Sequence, residues 1–62
     1  MIVRKNELEL SFNDKAVTLK GYLDEDCFRV FIESIETHPN LSQRERRRVR
    51  KLLSHEPNII ID

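Results

Sequence analysis

Gly21-Tyr22-Leu23-Asp24-Glu25-Asp26-Cys27-Phe28-Arg29-Val30-Phe31-Ile32-Glu33-Ser34-Ile35 is the stretch on which the fold turns. Phe28, Phe31, Ile32 and Ile35 recur at i, i+3, i+4 and i+7, the spacing of one helix face. Cys27 and Val30 widen that stripe. Asp24 suits an N-cap, and Glu25 and Asp26 set negative charge on the positive end of the helix dipole. Leu23 ahead of the cap and Phe28 behind it have the spacing of a hydrophobic staple. Gly21 reads as the break before this element. The pattern predicts a helix over about 24–38, stopped by Pro39, since the residue before a proline is pushed out of helical geometry.

Upstream, Leu8, Leu10 and Phe12 alternate with polar residues, and so do Val17 and Leu19. Alternation is the mark of half-buried strands. Asn13-Asp14-Lys15 between them is a turn, because Asn and Asp bond their own backbone and tolerate left-handed geometry. A hairpin over about 7–20 follows, though one hairpin alone is marginal in water. Downstream, Ser42-Gln43-Arg44-Glu45 is a capping box, in which the Ser42 hydroxyl and the Glu45 carboxylate satisfy each other's backbone N–H groups. It opens a second helix over about 42–56, ended by Pro57. The apolar face of this helix is thin, holding Val49, Leu52 and Leu53, with Leu41 just ahead of it. The short link His38-Pro39-Asn40-Leu41 favours antiparallel or sharply angled neighbours. Asn58-Ile59-Ile60-Ile61-Asp62 is too apolar for a free tail, and residues 58–61 are expected to pack on the core or add as a short strand, in this subunit or another.

The fold expectation is therefore α+β and helix-dominated: one small domain over 1–62, with a short N-terminal β element and a two-helix hairpin, assembled as a homodimer. Size is the argument for the dimer. A chain of 62 residues has a core worth about 3–5 kcal/mol and usually needs disulfides, a metal or a second subunit. Cys27 is the single cysteine, which rules out an internal disulfide. His38, His55 and Cys27 form no paired ligand motif, so neither a metal nor any other cofactor is expected. Phe28, Phe31, Ile32, Ile35, Val49, Leu52 and Leu53 are the expected core and the dimer or partner interface. No apolar stretch reaches membrane-spanning length, and Met1–Lys5 lacks the apolar run of a signal peptide. The expected location is the cytoplasm.

Net charge is zero, but its distribution is uneven. Residues 1–41 carry five basic and eight acidic side chains; residues 42–62 carry six basic and three acidic. All six of the latter bases lie on the second helix: Arg44, Arg46, Arg47, Arg48, Arg50 and Lys51. Arg44, Arg47, Arg48 and Lys51 share one face, roughly opposite Val49, Leu52 and Leu53, and Arg46 and Arg50 flank it. Three readings of this face stand side by side. It is a solvated face, or one paired with the acidic residues Asp24, Glu25, Asp26, Glu33 and Glu36 within the dimer. It contacts an acidic partner protein, where arginine supplies steering and specificity. Or it neutralises phosphates of a nucleic acid. Against the last stand the zero net charge and the lack of a three-helix core. Catalysis is not expected: one glycine leaves no phosphate-cradling loop, no nucleophile–base set is visible, and so short a chain has little room for a water-excluding pocket.

Arg4-Lys5-Asn6-Glu7-Leu8-Glu9-Leu10-Ser11-Phe12, Gly21-Tyr22-Leu23-Asp24-Glu25-Asp26-Cys27-Phe28 and the arginine run from Arg44 resemble a family of small proteins from the early region of lambda-like temperate bacteriophages. The genes of that family lie between those for the exonuclease and the excisionase, and their products are associated with lytic development. The resemblance covers the whole chain and carries no catalytic motif. It implies a dimer of mostly helical subunits in the host cytoplasm, a non-enzymatic regulator promoting lytic development through contact with a host or phage protein. The alternative is a nucleic-acid-binding dimer using the arginine-rich helix.

Overall fold

The computed structural model describes residues 1–62. Five strands form one sheet in sequence order: β1 (Ile2–Val3), β2 (Glu7–Phe12), β3 (Lys15–Asp24), β4 (Cys27–Val30) and β5 (Ile59–Ile61). The first four are antiparallel, and β5 lies parallel to β4. Two helices, α1 (Ile32–Glu36) and α2 (Gln43–Ser54), connect β4 to β5. Strands take 40% of the chain and helices 27%, so the architecture is sheet-dominated. The helix-dominated hairpin does not form, and the mostly helical subunits implied by the phage resemblance fail with it.

The predicted helix over 24–38 fails for a physical reason. Asp24 ends β3, and Glu25-Asp26 is the loop of a second hairpin in which Asp24 faces Cys27 and Leu23 faces Phe28. Glu25 takes a left-handed φ of 56°. Asp24 accepts from Arg29 Nε at 2.7 Å across this hairpin instead of capping a helix. Phe28 and Val30 alternate as well as they fit a helical stripe, and Gly21–Asp24, the last four residues of the ten-residue β3, pair with their strand. Gly21 lies inside β3 opposite Val30, not at a break. A Cβ there would run into the Arg29 carbonyl and come within 2.7 Å of the Phe28 ring. Only Ile32–Glu36 is helical, one turn and a little more.

The first hairpin forms in the expected stretch, but Lys15 belongs to β3 rather than the turn, and β3 runs on to Asp24. Asn13 (φ 50°) and Asp14 (φ 62°) both take the left-handed geometry of a two-residue turn whose twist matches the strands. Leu8, Leu10 and Phe12 of β2 and Val17 and Leu19 of β3 point to one face. Phe28, Val30 and Ile59 continue it, and Ile35, Leu41, Val49 and Leu53 close over it from the helical side. All twelve side chains of this core are apolar, and no polar side chain is buried. The segment expected to pack on the core or pair as a strand becomes β5 against its own β4. No helix is long and apolar enough to cross a membrane.

Candidate functional site

Helix α2 presents the basic face, and its position is fixed at its start and along one side. The capping box closes as expected, with the Ser42 N–H donating to Glu45 Oε1 at 2.9 Å and the Glu45 N–H donating to Ser42 Oγ at 3.2 Å. Glu45 does a second job that its place in the capping box does not reveal. Its carboxylate also accepts from Lys15 Nζ and Asn13 Nδ2, both at 3.0 Å. Lys15 Nζ donates further to the Asn40 carbonyl at 2.8 Å. The start of α2 is thereby tied to the β2–β3 turn. The Ser42 N–H, then Lys15 and Asn13, stabilise the charged carboxylate and draw its pKa down to about 2, against a smaller opposing effect of burial.

Along the helix, Val49 and Leu53 are fully buried on the sheet. The flanking arginines face inward. Arg46 Nη2 donates to the His38 carbonyl at 2.8 Å, and Arg50 Nη1 pairs with Glu36 of α1 at 2.8 Å. Of the charge complementarity expected between the acidic segment and this helix, Arg50–Glu36 is the one ion pair that forms. Asp24, Glu25 and Asp26 sit on the β3–β4 hairpin and pair with no cation of α2. Glu33 makes no ion pair.

Four cations remain. Arg44, Arg47, Arg48 and Lys51 are exposed, and their side chains make no ion pair or hydrogen bond. They form a stripe about 10 Å long at 1.5 Å rise per residue. Beside its C-terminal end lies an apolar step. Leu52 is 50% exposed and stands with Phe12 in a hollow of about 290 Å³ walled by Arg48, Lys51 and His55.

The residues expected to form a single apolar interface are dispersed. Phe28, Ile35, Val49 and Leu53 are core, whereas Phe31, Ile32 and Leu52 are exposed. Phe31 lies against Tyr22, ring centroids 5.6 Å apart, on the sheet face turned away from the helices. Sequence reasoning missed Lys15 and Asn13 as anchors of α2, and Phe12 as a wall of the hollow. Local spacing holds no trace of contacts that span thirty residues or more.

No protein-family model, curated protein or solved structure matches this chain.

Proposed function

We propose that the protein is a non-enzymatic, homodimeric interaction protein that engages an acidic, partly apolar segment of a partner protein through the solvent face of α2. One observation carries this reading: four unpartnered cations at i, i+3, i+4 and i+7 stand beside an apolar hollow on a helix pinned at Glu45, Arg46 and Arg50. Rigid placement lowers the ordering cost of binding. Arginine suits paired contacts to carboxylates, and the Leu52–Phe12 hollow offers a seat for one apolar side chain, which phosphates do not need. The resemblance to phage early-region proteins, weakened by the sheet-dominated fold, gives the setting: regulation of host or phage physiology toward lytic development.

The test is a fluorescence titration with a labelled peptide of alternating Glu and Leu, beside a labelled 20-base-pair duplex. Arg47→Glu with Arg48→Glu, both exposed, is expected to weaken peptide binding at least tenfold, about 1.4 kcal/mol, and Leu52→Ser to weaken it further. Capture of a bacterial protein that survives nuclease treatment and is lost in the double variant would extend the result to a natural partner. Duplex binding with a steep salt dependence, and none to the peptide, would transfer the face to nucleic acid. Binding to neither, with no capture, would end the proposal.

A further inference from the structure

The sheet has two edges, and they are guarded differently. At one, β1 is two residues long and is followed by Arg4 and Lys5. Short edges and nearby charge are the usual protection against strand addition. At the other, β5 is Ile59-Ile60-Ile61, with no charge, proline or bulge in the strand. Its backbone groups alternate in direction. The Phe28 N–H donates to the Asn58 carbonyl at 2.8 Å and the Asp62 N–H to the Val30 carbonyl at 2.8 Å, so residues 58, 60 and 62 turn toward β4. Ile59 and Ile61 turn outward. The Ile59 N–H is used in a 3.2 Å turn bond to the Glu56 carbonyl. The Ile59 carbonyl and both backbone groups of Ile61 face the open edge.

We propose that this edge is the self-association surface: β5 pairs antiparallel with β5 of a second copy about a two-fold axis at Ile60, joining two five-stranded sheets into one. The inference rests on the homodimer in the functional reading and assigns its interface. In this register each edge contributes one donor and one acceptor, the Ile61 N–H and the Ile59 carbonyl, while the Ile61 carbonyl gains no strand donor because the Ile59 N–H is held by Glu56. The Ile61 N–H of each copy donates to the Ile59 carbonyl of the other. Ile60 faces its own counterpart at a site without mutual hydrogen bonds, where Cα atoms approach to about 4.5 Å. On the outer face, the 36% exposed Ile60 side chain gains an apolar neighbour. Asn58 meets Asp62 of the second copy, an amide donor against a carboxylate, so no like charges face one another. Two-fold pairing of one patch with itself closes the assembly at two chains. It covers the β5 edge of a chain whose core holds only twelve side chains.

Sedimentation equilibrium of the wild type at 200 µM should give close to twice 7.4 kDa, falling toward one chain on dilution. Ile60→Lys alone and Ile60→Glu alone should each sediment as monomers with unchanged far-ultraviolet circular dichroism, because like charges then sit directly opposite. An equimolar mixture of the two should recover the dimer, a result that only a register with position 60 against position 60 gives. Should the charged variants unfold, Ile60→Cys with Cys27→Ser decides: the 4.5 Å approach lies within disulfide range, and oxidation should cross-link most chains, whereas Thr18→Cys with Cys27→Ser should not cross-link. A monomeric wild type at 200 µM, a folded dimeric Ile60→Lys, or failure of both mixing and cross-linking would overturn the interface. Arg47→Glu with Arg48→Glu should remain dimeric, and monomeric Ile60 variants keep α2 intact, so losses of the two surfaces are separately visible.

Discussion

A methyl group on Gly21 would meet the Arg29 carbonyl and the Phe28 ring, in the middle of two paired strands. Backbone cannot yield there without breaking the β3–β4 ladder, and Phe28 is a fully buried side chain with nowhere to swing. Overpacking of this kind costs about 1–3 kcal/mol, a large share of the stability of so small a domain. Gly21→Ala should lower the urea midpoint steeply, and an unchanged midpoint would mean that the two strands separate freely. The same residue shows where reading the sequence ran out. A glycine between alternating and helical patterns punctuates; a glycine inside a strand marks close approach. Nothing local separates these cases, because the ring that crowds Gly21 comes from across the hairpin. Phe31 and Ile32 misled in the same way: apolar and well spaced for a helix, they lie on the surface.

At the scale of elements, α2 was legible because its signals are local. The Ser42–Glu45 box, the basic stripe and the stop near Pro57 sit within one stretch of chain, and the structure places α2 at Gln43–Ser54. The β2–β3 hairpin was legible from alternation and from Asn13-Asp14. The β3–β4 hairpin was not, since a four-residue strand offers too few positions to tell a period of two from one of 3.6. Glu45 gives the helix a measurable dependence on acid. Its folded pKa, about 2, lies below its ordinary 4.5, so its contribution is complete above pH 4.5 and is lost as pH falls toward 2. Glu45→Gln should be less stable than the wild type at neutral pH and should lose less stability on acidification across that window. Urea midpoints at several pH values check this, and parallel curves for the two proteins would show that the tie between α2 and the β2–β3 turn contributes little.

For the whole molecule, the even balance of eleven basic and eleven acidic residues invited the view that charges are spent internally. They are spent unevenly. Five ion pairs form, and one of them, Arg50–Glu36, joins the two helices. The solvent face of α2 is left cationic, and the opposite face of the sheet carries Tyr22, Phe31 and Ile60, each at least 36% exposed. The proposed binding and the proposed self-association thus use separate surfaces, a helix face and a strand edge. If the dimer forms through β5, unfolding is coupled to dissociation, and the melting temperature should rise with chain concentration. Calorimetry at 10 and 200 µM would show it, and Ile60→Lys should abolish the dependence.

The crossover between β4 and β5 also orders events in time. The β2–β3 and β3–β4 hairpins each close across two loop residues and the β1–β2 hairpin across three, whereas β5 reaches β4 only after residues 31–58 have been laid down. Long closures are paid for before their contacts reward them. The antiparallel strands can zip early, and Ile59–Ile61 dock last. Until then Phe28 and Val30 lack their neighbours on the β5 side, and the chain is at its most vulnerable to wrong pairing. Substitutions in β5 should therefore leave refolding rates almost untouched and speed unfolding, so that the same short strand governs the lifetime of the native state.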